Sequence, residues 1–328
     1  MVATGEQPLA AAVDELRSNE RFLLTTHENP DGDALGSLLA MQAILTQLGK
    51  DSVMYLAEKE FPLPVEYRFL PLEEVFHEPP ADIVDRVLVF LDCGNIDRTP
   101  EGFLRSDEAH VVNIDHHHDN TRFGTVNLVD TKASSTAEIV HELGRELGAD
   151  ITPEIASALY VGLVTDTGRF SYENTNPDTH RLAAELIEAG VDVADTYRRL
   201  YERVPIEKLK LVARALEGIE RREDCGLALT YLSDADYAET GSSELLSEGI
   251  IDFIRSLEGT LVAAVVRDRG EAAGSARKVS LRSTDGDIDV SEIARRYGGG
   301  GHRRAAGFST DLTYEQIVEA LCADLEQR

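Results

Sequence analysis

The chain has 328 residues, enough for two cores, and its 42% hydrophobic and 28% charged residues describe a globular protein. No apolar run approaches the ~18 residues that a spanning helix needs. The formal net charge is −28, and only six of the 32 basic residues are lysine (50, 59, 132, 208, 210, 278). Such a field repels long nucleic acid, whose non-specific affinity comes from neutralising phosphates. An anionic substrate therefore needs metal ions and a local basic island.

Residues 1–8 lack the basic start and apolar core of a signal peptide. Phe22-Leu23-Leu24 reads as a buried strand, and apolar residues from Ala34 to Leu48 recur at helical spacing up to Gly49. Strands are expected at 52–56, 86–92, 111–117 and 125–129. Helices are expected at 135–147 and at 153–165, the second with proline in its first turn. This alternation predicts a mostly parallel sheet. From 179 to 222 the pattern is helical throughout, and from Leu227 strands at 227–232, 261–266 and 278–282 alternate with helices from Ser243 and Ser291. The predicted class is α/β. It divides into a larger, mostly parallel-sheet domain at 1–180, a helical linker at 181–222 and a smaller α/β domain at 223–328. Cys93, Cys225 and Cys322 are odd in number and far apart, which argues against disulfides or a zinc knuckle and for a reducing cytoplasm.

Chemistry concentrates where apolar segments end. His27, Asp31 and Asp33 fall in seven residues between the first strand and its helix, where open α/β sheets bind ligands. A helix cap by Asp33 would account for one aspartate and leave His27 and Asp31 without a role. Asp92 closes a second strand, Asp115-His116-His117-His118 a third, and Asp166 an apolar helix. Carboxylate with imidazole suits a hard-to-borderline divalent ion. The count suits two ions, which a bridging carboxylate would hold ~3.5–4 Å apart.

These residues resemble the signature of the DHH phosphoesterase superfamily: His27-x-Asn29-Pro30-Asp31-Gly32-Asp33, the strand-end Asp92, Asp115-His116-His117, and Thr165-Asp166-Thr167-Gly168. The second half resembles the DHH-associated domain, marked by the run from Gly298 through His302-Arg303-Arg304 to Gly307. Within the superfamily the chain is most similar to the bifunctional oligoribonucleases, or nanoRNases, that also dephosphorylate adenosine 3′,5′-bisphosphate (pAp). The resemblance implies two Mn²⁺ ions, with Mg²⁺ or Co²⁺ as substitutes. Their ligands would be His27, Asp31, Asp33, Asp92, His116 and Asp166, with Asp92 as the bridge. It implies His117 on the scissile phosphate and Asp115 orienting a neighbouring histidine; His118 is read as a solvated rim residue. Arg282 and Ser283, with Gly300, Gly301, His302, Arg303 and Arg304, would take a terminal phosphate.

The glycine run has its own physical reading, since a loop without side chains can aim backbone amides at a phosphate. Arg98 is read as a structural ion-pair partner, Cys93 as a packed thiol, and Gly162 and Gly168 as packing and turn residues. Expected partners are RNA of two to five nucleotides and nucleoside bisphosphates, without long duplex or membrane. A homodimer is compatible with the sequence. Phosphates held in both domains would make a short ligand the best fit. The alternatives are a cyclic di-AMP or linear pApA phosphodiesterase and a catalytically silent nucleotide-binding protein. The natural substrate, the polarity of cleavage and the general acid stay open.

Overall fold

The computed structural model describes residues 6–99, 101–105, 109–269, 276–284 and 286–326, less the side chains of residues 6, 7 and 302. These residues form two compact units, 1–203 and 204–328. The first unit carries α1 (Glu6–Ser18), β1 (Arg21–Thr25), α2 (Gly32–Gln47), β2 (Asp51–Met54), β3 (Val87–Leu91), β4 (Val111–Asp115) and β5 (Val126–Val129). It continues with α3 (Thr136–Leu147), α4 (Pro153–Asp166), α5 (Pro177–Glu188) and α6 (Val193–Tyr197).

Its five strands pair in the order β2-β1-β3-β4-β5, all parallel. A central parallel strand is covered on both faces and reads as a continuous apolar run, and β3 is buried at all five positions. Phe22, Leu24, Val89 and Leu91 enter the core shared with α1 to α5, while Leu23, Leu88, Phe90 and Tyr55 pack on the opposite face. The chain runs from β1 outward to β2 and returns to β3 on the other side of β1. Strand order therefore reverses between β1 and β3, and the carboxyl ends at such a point are where open sheets hold ligands.

Two glycines let the helices behind the site approach closely. A Cβ on Gly36 would meet Ala158 O at 2.4 Å, and one on Gly162 would meet Asp33 Oδ1 at 2.7 Å and Ala137 Cβ at 2.8 Å.

The second unit carries α7 (Ile206–Glu217), β6 (Glu220–Arg222), β7 (Leu227–Leu232), α8 (Asp234–Thr240), α9 (Ile250–Arg255), β8 (Val262–Asp268) and β9 (Arg277–Ser283). After these come α10 (Val290–Arg296), β10 (Gly300–His302), β11 (Ala305–Thr310) and α11 (Tyr314–Glu326). Its sheet, β10-β11-β9-β8-β7-β6, is mixed, with β7 and β8 parallel and the other pairs antiparallel. One face packs Leu229, Val266, Leu281 and Phe308 against α10 and α11; the other packs Ala228, Ala263 and Val265 against α7 and α9.

The stretch 181–222 is divided between the two units. Leu182, Leu186 and Leu200 join the first core, and Leu211 and Ala215 join a core of the second. The helix expected from Ser243 is a 3₁₀ turn, Glu244–Ser247, followed by α9. Glu220–Arg222, expected to be helical, is an edge strand on β7. One expectation is overturned: Cys225 and Cys322 are joined by a disulfide across a sequence separation of 97, with Cα atoms 5.5 Å apart. Linear spacing gave no sign of it, because packing of α11 beside the start of β7 brings the two together. The cysteine pattern thus no longer argues for a reducing compartment. No helix among the described residues is long and apolar enough to cross a membrane.

Candidate metal centre

His27, Asp92 and His116 follow β1, β3 and β4 at one edge of the parallel sheet, and Asp166 is the last residue of α4. Asp92 takes a left-handed backbone, φ 57°, which bends the chain sharply as it leaves β3. Its side chain is buried and faces two ways. Oδ2 lies 3.6 Å from His27 Nε2, and Oδ1 lies 3.7 Å from His116 Nε2 and 3.6 Å from His117 Nδ1.

Two backbone carbonyls fix the ring orientations. His27 Nδ1 sits 2.8 Å from Glu28 O and His116 Nδ1 sits 3.3 Å from Ala133 O. With Nδ1 donating to a carbonyl, Nε2 would be the nitrogen offered to a metal, the usual arrangement of metal-bound histidine. His116 Nε2 also lies 3.6 Å from Asp166 Oδ2 and 3.9 Å from Asp33 Oδ2.

The two aspartates of the opening motif divide their work differently from the sequence expectation. Asp31, not Asp33, caps α2, accepting from the amides of Asp33 and Ala34 at 3.0 and 3.1 Å. Capping and site membership coexist, since an Asp31 oxygen lies within 4.8 Å of ligand atoms on His27 and Asp92. Asp33 is buried beneath the first turn of α3, accepting from Thr136 N at 2.7 Å and Ala137 N at 2.9 Å. Free amides at a helix start favour a carboxylate there.

Asp115 accepts from His117 Nδ1 at 2.7 Å, so the histidine it orients is the second of the motif. Its other oxygen accepts from Asn120 Nδ2 at 2.5 Å. His118 is exposed.

Three groups of potential ligands meet at this edge of the sheet: His27, Asp31, Asp92; Asp33, His116, Asp166; and Asp92, His116, His117. Asp92 is common to the first and third, and His116 to the second and third. Burial raises the Asp33 carboxyl well above its usual range, with Asp92 and Asp166 adding to it, and burial lifts Asp166 to about 7. Burial opposes charge on Asp92 too, but His27, His117 and His116 hold that carboxyl well below the usual range. Burial pulls the His116 imidazole down, yet Asp166, Asp92 and Asp33 outweigh it and carry it up to about 10. Crowded carboxylates that hold protons in this way are a donor set which divalent cations would relieve. The residues fit a two-ion site.

Three residues that the sequence reading passed over hold this frame. Thr136 Oγ1 donates to Asp92 Oδ1 at 2.9 Å. Asn174 Nδ2 donates to Asp166 Oδ2 at 3.1 Å and to Ser134 O at 2.7 Å. Asn120 ties Asp115 to Asn113 Oδ1 at 2.8 Å. Cys93 is fully buried, and burial pushes its thiol to about 12, far from a nucleophile. Arg98 is half-buried, and its carbonyl accepts from Glu28 N at 2.8 Å. Gly168, at φ 54°, serves the turn after α4.

The second unit receives the remaining candidates. Arg282 lies on the face of β9 that carries Lys278 and Ser280. Ser283, expected beside it on a ligand, alternates to the other face and is fully buried, so the structure separates the two. The glycine run is a short edge strand rather than an open loop, with Gly300 opposite Gly307 and Gly301 opposite Ala306. A Cβ on Gly301 would meet Ala305 O at 2.5 Å. Arg303 donates to Gly286 O at 2.8 Å, and Arg304 lies beside it in the same turn. The His302 side chain lies outside the described residues.

The N-terminal domain of the DHH family matches residues 21–163, and the DHHA1 domain matches 230–328. The chain is 36% identical over 312 residues to the bifunctional oligoribonuclease and PAP phosphatase NrnA of Thermus thermophilus, covering 92% of this chain and 89% of that one. The chain belongs to the DHH phosphoesterase family. An exopolyphosphatase-related protein from Bacteroides fragilis shares the fold at a TM-score of 0.87 and 24% identity, over 98% of this chain and 96% of that one. RecJ from Thermus thermophilus, solved in complex with Mn²⁺, is similar at a TM-score of 0.56 and 16% identity, over all of this chain and 55% of that one. As a DHH phosphoesterase, the chain is an enzyme that hydrolyses phosphoester bonds.

Proposed function

We propose that this DHH enzyme hydrolyses very short oligoribonucleotides to mononucleotides and removes the 3′-phosphate of pAp, using two Mn²⁺ ions. The observation that carries the reading is Asp92, one oxygen toward His27 and the other toward His116, as a bridging ligand requires. The substrate class draws support from the NrnA relative, which aligns along nearly the whole of both chains.

His27, Asp31 and Asp92 would hold one ion, and Asp33, Asp92, His116 and Asp166 the other. When bound, the pair supplies the Lewis acidity and the lowered water pKa of two-metal phosphoester hydrolysis. Thr136 and the α3 amides fix Asp92 and Asp33 in place. Asp115 holds His117 in one orientation, and His117 stabilises charge developing on the phosphate. In the second unit Arg282, Gly300, Gly301, His302, Arg303 and Arg304 supply the contacts for a terminal phosphate, where a guanidinium fork suits the anion.

The test offers Mn²⁺-loaded protein pAp, a diribonucleotide and cyclic di-AMP side by side, with His117→Ala in parallel. Turnover of pAp and the dinucleotide, well ahead of cyclic di-AMP, is the expected result. His117→Ala lowers kcat by roughly a hundredfold or more and keeps its manganese. Cyclic di-AMP consumed fastest would overturn the substrate class, and a mutant stripped of metal would make His117 a ligand.

A further inference from the structure

The face of β9 that carries Arg282 carries more positive charge than one terminal phosphate requires. Strand alternation sets Lys278, Ser280 and Arg282 on that face, while Val279 and Leu281 are buried in the core opposite. Register puts Arg267 of β8 directly across from Lys278, and Val265 across from Ser280. On the other side of β9, β11 offers only small residues: Ala305 beside Arg282, Gly307 beside Ser280 and Ser309 beside Lys278.

Arg267 is 3% exposed, so its charge is held in the sheet rather than in water. It donates through Nη1 to Ser280 Oγ at 2.7 Å, and its Nε is buried without a hydrogen-bond partner. Arg267, Arg282, Lys278 and Lys208 draw the Glu248 carboxyl below its usual range, and Glu244 also acts on Lys278, yet no ion pair within 4.0 Å joins either carboxylate to Arg267, Arg282 or Lys278 among the described residues. Arg267, Lys278, Arg282 and Lys208 thus outnumber Glu244 and Glu248, and neither carboxylate closes on the first three. In a chain of net charge −28, such a concentration has a cost in desolvation that a bound anion would offset.

We propose that Lys278, with Arg267 held beside it, forms a second phosphate subsite on the sheet face that carries Arg282, and that it takes the phosphate of an oligoribonucleotide that lies two steps from the one on Arg282. Positions two apart on a strand are ~6.6 Å apart, so Arg282, Ser280 and Lys278 span about two nucleotide steps. Arg282 and Lys278 serve as the charged ends, and Ser280, fixed by Arg267, lies between them. On the β11 side Ala305, Gly307 and Ser309 add no bulky side chain, whereas on the β8 side Ala263 and Val265 are covered by α7 and α9. Arg267 acts as a positioning residue that aims the Ser280 hydroxyl and contributes charge from within the sheet. This subsite deepens the oligoribonuclease reading and rests on it for the identity of the ligand.

Calorimetric binding of hydrolysis-resistant phosphorothioate ribonucleotides to the full, metal-loaded chain tests the subsite without turnover. Lys278→Ala should weaken a trinucleotide by roughly tenfold and leave a dinucleotide within about twofold. The slope of log affinity against log salt should fall by about 0.7 for the trinucleotide, one phosphate contact on a single strand. Lys278→Arg, which keeps the charge, should restore both. Equal losses on the two ligands, or no loss on the trinucleotide, would overturn the subsite. A wild-type chain that shows the Lys278-dependent slope but hydrolyses no short RNA would remove the proposed activity and leave the subsite standing.

Discussion

Asp33 is both a candidate ligand and a buried acceptor for the opening amides of α3. Removing it strips a ligand from the group it shares with His116 and Asp166 and leaves Thr136 N and Ala137 N unsatisfied in the interior. Each such loss costs about 1–3 kcal/mol. Asp33→Ala is therefore expected to abolish turnover and also to lower the midpoint of thermal unfolding, measured on metal-free protein so that ligation does not contribute. An unchanged midpoint would mean that water replaces the carboxylate. The residue scale also explains what the sequence hid. His27, Asp31 and Asp92 stood out because imidazole and carboxylate at strand ends have few structural uses. Thr136, Asn120 and Asn174 have many, and only the fold puts their donors within 2.5–3.1 Å of the carboxylates they hold.

Elements were legible where burial imposes a period. β1, β3 and β4 are apolar because both sheet faces are covered, and α2 and α4 follow their apolar spacing to within two residues. Edges were not legible. Glu220–Arg222 and Gly300–His302 become strands through a neighbour's backbone hydrogen bonds, and their own side chains carry no pattern that announces it. The Cys225–Cys322 cross-link belongs with these, since it is made by α11 meeting β7. Closing a loop of about 100 residues limits the unfolded chain by up to ~4.7 kcal/mol in the chain-entropy account. Reductant should therefore lower the unfolding midpoint of the wild-type chain and leave Cys225→Ser and Cys322→Ser unmoved. Calorimetry with and without reductant decides it, and a wild-type midpoint indifferent to reductant would remove the cross-link from the stability of this unit.

At the scale of the whole molecule, charge would set how much of the proposed RNA substrate is welcome. A net charge of −28 contributes repulsion to every phosphate that lies outside the cations of the site. A dinucleotide has few such phosphates, whereas an RNA of about twenty-four nucleotides has many, so the dinucleotide should be cut far faster. Ionic strength separates this account from a simple limit on length. Raising salt from 0.01 to 0.15 M shortens the screening distance from ~30 Å to ~8 Å. Repulsion beyond the site then fades, while attraction at the buried site, where Asp92 and Asp33 are only 2% and 1% exposed, is screened much less. The ratio of kcat/KM for the dinucleotide over the long strand should accordingly narrow as salt rises. Steady-state rates for both substrates across that range measure it. A ratio that widens would mean that cations along a channel hold the long strand, and repulsion by the acidic surface would no longer explain a preference for short RNA.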